Sequence, residues 1–184
     1  MTVTQSNAVG VLVVEDDRSL AELYREWLRG SYRVRTAHDG TEALERLDST
    51  VDVVLLDRMM PGRSGGEVLE AIRASDFDPQ VVMVSAVTPD LDVVQMGFDA
   101  YLERPVDASV LQETLDRMLT RAEYDQKLRE LFSLIERQDA LEAVKSEEVL
   151  RNSEEYQSLT ERLEAVQTEV EALLVELPGE DFRV

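Results

Sequence analysis

Five times between residues 9 and 119, a short apolar run hands over to an amphipathic stretch. The runs at 9–14, 32–36, 51–56, 81–84 and 100–102 have strand length, and the first and third are apolar enough to predict strands buried on both faces. Leu20, Leu23, Tyr24, Trp27 and Leu28 follow the first run at the spacing of a core-facing helix, with Gly30 as its stop. Ala43, Leu44 and Leu47 mark a second helix, Val68, Leu69 and Ile72 a third, and residues 91–96 a fourth. Asp107 is a good N-cap for a fifth, carrying Val110, Leu111, Leu115, Met118 and Leu119. Parallel neighbours need a crossover, and a helix supplies it. Five βα units therefore predict an α/β doubly wound parallel sheet with helices on both faces. In such a sheet a ligand site lies beyond the carboxyl ends of the strands, where the strand order reverses.

From about Leu119 onward no glycine or proline occurs until Pro178, and the chain becomes rich in Glu, Leu and Arg, which predicts helix throughout. Tyr156, Leu159, Leu163, Val166, Val170 and Leu173 repeat at spacings of three and four, a heptad seam. Leu128, Leu131, Phe132, Ile135, Leu141 and Val144 are periodic but less regular, and Asn152-Ser153 offers a break and a cap. The reading is a helical hairpin, residues 122–150 and 154–177, stopped by Pro178-Gly179. Its alternative is one long helix in a dimeric coiled coil. Residues 1–8 read as a disordered tail, 9–121 as the first domain and 122–184 as the second.

Composition excludes much chemistry. With no cysteine there is no disulfide, thiolate metal site or cysteine nucleophile, and His38 alone cannot build a histidine zinc site. Apolar residues at 43% can fill a core, and no apolar run approaches the length that spans a bilayer. Residues 1–10 lack a signal-type pattern, so a soluble cytoplasmic protein is expected. The net charge of −20 falls equally on residues 1–121 and 122–184, which disfavours unaided binding to nucleic acid or anionic lipid. Of the 19 basic residues only Lys127 and Lys145 are lysines; acidic excess with so little lysine fits a high-salt cytoplasm or simply an acidic protein.

Acidic residues sit where strands end. Glu15, Asp16 and Asp17 follow the first run and Asp57 the third. If the strand order reverses between those strands, the carboxylates converge and call for a cation, and oxygen-only donors of this hardness suit Mg²⁺. A carboxylate beyond those the ion needs can attack phosphorus and form an acyl phosphate; Asp57 is the candidate. Ser85 ends the fourth strand and can donate to a phosphoryl oxygen, while Arg104, near the end of the fifth, can pair with another. Asp17 reads as a helix cap rather than a ligand, and His38 as a loop residue without a role.

Val13-Val14-Glu15-Asp16-Asp17, Leu55-Leu56-Asp57-Arg58-Met59-Met60-Pro61-Gly62, Val84-Ser85-Ala86 and Tyr101-Leu102-Glu103-Arg104-Pro105 together resemble the receiver domain of two-component response regulators. The resemblance covers residues 9–121 and implies a flavodoxin-like strand order 2-1-3-4-5, with Glu15 and Asp16 as Mg²⁺-site acids and Asp57 as phosphoacceptor. It further implies that Met59 ligates the ion through its backbone carbonyl, that Ser85 is the switch hydroxyl, that Tyr101 is the aromatic reporting the switch, and that a sensor histidine kinase is the phosphodonor. One departure stands out: the family carries lysine where this chain has Arg104. Residues 122–184, with Arg121-Ala122-Glu123-Tyr124-Asp125 and Glu154-Glu155-Tyr156-Gln157-Ser158-Leu159, resemble the HalX domain appended to haloarchaeal receivers.

The expected function is a phosphate-accepting switch, not an enzyme, whose helical domain acts on an unidentified protein partner rather than on DNA or a membrane. A homodimer through the receiver or the C-terminal helices is left open. The rival is a pseudo-receiver, a scaffold independent of phosphorylation. An aspartyl-phosphate hydrolase would usually place a second Asp two residues after the first, where Met59 stands, and a flavin or nucleotide binder would need a phosphate-cradling loop after the first strand. Arg104 either reaches a phosphoryl group from farther out than lysine and leaves the chemistry intact, the favoured alternative, or already pairs with Glu15, Asp16 or Asp57 and holds an active-like state without phosphate.

Overall fold

Five parallel strands stand in the order β2-β1-β3-β4-β5: β1 (Gly10–Val14), β2 (Arg33–Ala37), β3 (Val53–Asp57), β4 (Gln80–Ser85) and β5 (Ala100–Glu103). The computed structural model describes residues 8–87 and 96–177. The expected tail except for Ala8, the helix at 91–96 except for Met96, and the Pro178-Gly179 stop lie outside the described residues. Every residue of β1 and β3 is buried, as their continuous apolar runs require of central strands in a parallel sheet. Val14 pairs with Ala37 on one side and Leu56 on the other, so the order reverses at β1 and opens the crevice beside its carboxyl end.

Helix α1 (Arg18–Leu28) begins at Asp17, whose carboxylate accepts from the Ser19 and Leu20 amides. Its core face is centred on Ala21, Tyr24 and Leu28, and Leu23, counted with the core from the sequence, is exposed. The apolar stripe is wider than the buried one, and small Ala21 lets the helix approach the sheet. Helix α2 (Gly40–Glu45) is capped by Asp39, and α3 (Gly65–Arg73) by a reciprocal pair of Ser64 and Glu67. The apolar run predicts a third strand from residue 51, but the Val51 amide closes a turn onto the Asp48 carbonyl. The strand therefore runs two residues later, and Asp57 is its last member rather than its successor.

Helix α4 (Ala108–Glu142) starts behind Asp107, which accepts from the Val110 amide and the Ser109 hydroxyl. The chain divides into two compact units between Leu115 and Asp116, inside this helix. No separate helix begins near 122, because nothing in the sequence interrupts the turn-by-turn hydrogen bonding there. Nor does the helix reach 150: it stops at Glu142, and after Ser146 a short α5 (Glu147–Arg151) precedes α6 (Glu154–Glu176), where Ser153 caps the Tyr156 amide. In the second unit Leu134, Val166 and Val170 form the buried seam, flanked by Tyr124, Leu128, Leu131, Leu159 and Leu163. Lys127 pairs with Glu169, Arg162 with Glu130, and the Tyr156 hydroxyl donates to Glu142, so α4 and α6 run in opposite directions. The heptad stripe thus packs within the chain, as a hairpin.

Candidate functional site

The carboxyl ends of β1 and β3 bring acids together. Glu15 follows β1 directly and is 2% exposed, while Asp57 ends β3 and is 5% exposed. With exposed Asp16 they place carboxylate oxygens within 4.8 Å of one another. The Glu15 amide donates to the Ala37 carbonyl at 3.0 Å, which continues the β1–β2 ladder one step past the strand and fixes where its side chain starts. The His38 ring nitrogen Nδ1 lies 3.2 Å from the Glu15 carbonyl oxygen, a brace to which no role had been assigned.

Arg104 enters from the opposite side. Its amide donates to the Ser85 carbonyl at 2.8 Å, tying the chain after β5 to the end of β4. From there its Nη2 donates to Glu15 Oε2, and Nη1 stands 3.5 Å from Asp57 Oδ2. This is the pairing of the second, less favoured alternative. A guanidinium is long and forked enough to touch two buried carboxylates at once, and their desolvated charges draw it in. Burial pushes the Glu15 carboxyl up to about 7; Asp57 reinforces that rise and Arg104 opposes it.

Three carboxylates and one guanidinium leave a formal charge of −2, which a divalent ion would balance. The donor set is all oxygen, and the oxygens lie close enough to share one ion. The residues present therefore fit Mg²⁺. Met59 lies beside them: its amide donates to Asp57 Oδ1 at 3.1 Å, and its side chain is exposed.

Ser85 is fully buried, and its hydroxyl oxygen accepts from the Val87 amide at 3.1 Å. The Tyr101 hydroxyl donates to the Val87 carbonyl, so Tyr101 reaches the neighbourhood of Ser85 through Val87 and not the acids themselves. Asp17 is the α1 cap and stays out of the acid cluster.

Two residues at the site carried no functional expectation. Burial pushes up the phenol of Tyr24, 2% exposed on α1, and the charge of Arg104 opposes that rise. The helical periodicity counts it only as an apolar member of a stripe; the signal in the sequence is that a buried phenol needs a polar partner. Gly65 opens α3 directly beneath Asp57, where an added Cβ would stand 2.2 Å from the Asp57 carbonyl oxygen. The glycine pair at the start of that helix was the signal for close backbone approach.

Residues 11–116 match the response regulator receiver domain, and residues 120–184 match the HalX domain. A Haloferax volcanii protein whose name describes it, provisionally, as a transcriptional regulator is 49% identical over 165 residues, 89% of this chain and 28% of its own length. The transcriptional regulatory protein CpxR of Escherichia coli is 36% identical over 121 residues, 64% of this chain and 52% of its own. The chain thus spans no more than about half the length of these curated relatives. Among solved structures, the response regulator TrrA of Thermotoga maritima in complex with Mg²⁺-BeF aligns with a TM-score of 0.52 at 32% identity, over 58% of this chain and 96% of that one.

Proposed function

The chain belongs to the response regulator receiver family and carries a HalX domain behind the receiver; from that premise we propose that it accepts a phosphoryl group on Asp57 in a Mg²⁺-dependent reaction and signals through its C-terminal helices. The observation that carries this reading is the convergence of Glu15, Asp16 and Asp57 at the reversal of strand order, with the Arg104 guanidinium against them. Residues 9–121 act as the receiver and 122–184 as the output domain, in the cytoplasm.

Asp57 is the nucleophile by its position in the receiver pattern; Glu15, equally buried and also paired with Arg104, is left to the ion. One of its oxygens forms a bond to phosphorus while the bond from phosphorus to the donor nitrogen of a phosphohistidine breaks, its electron pair returning to the imidazole of a sensor kinase. Glu15, Asp16, Asp57 and the Met59 carbonyl would hold a Mg²⁺, which would supply charge neutralisation for the transferred group. Arg104 then exchanges its carboxylate partners for a phosphoryl oxygen, and the Ser85 hydroxyl, now held on Val87, turns to another. Withdrawing Ser85 alters the Val87 segment that Tyr101 grips, which gives the switch a path to the surface.

The pseudo-receiver reading has one observation in its favour, the pairing of Arg104 with Glu15 and Asp57. Intact-mass spectrometry after incubation with acetyl phosphate and Mg²⁺ separates the two. A gain of one phosphoryl mass on Asp57 supports the acceptor, and an unchanged mass under every donor supports the scaffold.

A further inference from the structure

We propose that the C-terminal hairpin is a dimerisation module: its open side takes a second copy of this chain, with α4 lying antiparallel against α4 of that copy and crossing it near Phe132, to make a four-helix bundle. The proposal does not depend on phosphorylation of Asp57. It rests on the two sides of the seam between α4 and α6 being unlike.

One side is shut by charge. Lys127 and Glu130 on α4 interlock with Arg162 and Glu169 on α6: Lys127 pairs with Glu169 and stands 3.7 Å from Glu130, while Arg162 pairs with Glu130 and stands 3.9 Å from Glu169. The other side has no such lid. At about 100° of turn per residue, Phe132 points to the side of α4 opposite Glu130, and Leu128 and Ile135, four before it and three after, share its face. Leu128 and Ile135 are half-buried and the Phe132 ring is 58% exposed. The seam beneath them is thin, since its buried members are Leu134, Val166 and Val170. Two helices share one line of contact, whereas four enclose a core.

Charge decides what covers the open side. Arg129 and Glu136 flank Phe132, three residues before and four after; both are exposed, and neither makes an ion pair among the described residues. In an antiparallel copy that crosses between residues 132 and 133, Arg129 of each chain faces Glu136 of the other, twice by symmetry. Asp125 and Asp139 then face Ala140 and Gln126 and meet no like charge. A parallel copy would set Arg129 on Arg129 and Glu136 on Glu136. The surface is therefore complementary to itself in one orientation, as an isologous interface requires.

The test is the mass of the full chain in solution by sedimentation equilibrium, without any phosphodonor. At about 0.15 M salt, charges more than about 8 Å apart are largely screened and a contact pair is not. Wild type should be a dimer. Phe132→Glu should weaken it by at least about tenfold with an unchanged far-ultraviolet spectrum, because the ring lies outside the buried seam. Arg129→Glu sets acid against acid and Glu136→Arg sets arginine against arginine, so each alone should dimerise at least about tenfold more weakly than wild type. Mixed in equal amounts, these two variants should recover the dimer, since one chain then offers two acids and the other two arginines. Neither misfolding nor a dimer built on the receiver gives that recovery. Wild type that stays monomeric at millimolar chain, a dimer indifferent to Phe132→Glu, or charge variants that behave the same alone and mixed would overturn the proposal.

Discussion

Arg104 Nη1 stands 3.5 Å from Asp57 Oδ2, and the same guanidinium reaches Glu15 through its other terminal nitrogen. One side chain thus restrains both Glu15 and the proposed acceptor, Asp57. Lysine there is a single point charge on a thinner stem, which cannot span the two carboxylates in one plane. Wild type and Arg104→Lys should both be labelled on Asp57. The variant should show the larger phosphate-dependent change at Tyr101, followed by ¹⁹F-tyrosine or ring-proton NMR, because its cation releases the acids more readily. Labelling of Arg104→Lys but never of wild type would favour the scaffold.

Asp57→Asn removes the proposed nucleophile and keeps the shape. Intact mass should then show no phosphoryl gain, and wild type in excess chelator should label at less than about a tenth of its Mg²⁺ rate. Persistent labelling in either case would move the acceptor elsewhere or dispense with the metal.

Much of this could be read from residue order, and the failures share a cause. β1 and β3 were legible because nothing polar interrupts runs that are buried on both faces. Glu15 and Asp57 were legible because they break those runs at one end. The end of α4 was not: Ala143, Val144 and Lys145 are tolerable helix residues, and the stop is set by Ser146 opening another short helix and by α6 packing back on Leu134. Tyr24 was hidden because periodicity scores a tyrosine as apolar and is blind to its hydroxyl. The Arg104 pairing depends on which carboxylates the sheet order brings within reach, a tertiary fact.

Gly65→Ala should disturb the site from below. The added Cβ would stand 2.2 Å from the Asp57 carbonyl oxygen and 2.8 Å from Arg58 Cα, both backbone atoms that cannot swing aside. Moving β3 against α3 costs about 1–3 kcal/mol, so the melting temperature should fall and Asp57 labelling should slow together. An alanine variant with wild-type melting and labelling would show that the approach relaxes without cost.

DNA is the obvious rival to a protein partner, since CpxR and the Haloferax relative are both named for transcription. Residues 122–184 nevertheless carry 17 acids against 7 bases, and α6 opens with Glu154 and Glu155. A helix that reads a groove needs the opposite field. Fluorescence anisotropy of the full chain, with and without phosphorylation, should show no sequence-selective binding. Selective binding that weakens steeply with salt would overturn the protein-partner reading.

Salt should raise the melting temperature. Two effects oppose each other. Ion pairs such as Arg25–Glu22, Arg29–Glu26 and Arg151–Glu147 are exposed; each contributes at most about 1 kcal/mol and weakens as salt is added. Against them stands an excess of 20 acids, whose mutual repulsion acts over about 10 Å at 0.1 M salt and about 3 Å at 1 M. These pairs stand only 2.9–3.8 Å apart, close to even the shorter range, and lose part of their attraction, whereas repulsion among carboxylates several ångströms farther apart is cut off almost entirely. The second effect should win. Between dilute buffer and molar KCl the thermal midpoint should climb by several degrees, about what 1–2 kcal/mol gives a chain of this size. A midpoint that stays level or falls would assign the acidic surface to something other than a high-salt cytoplasm.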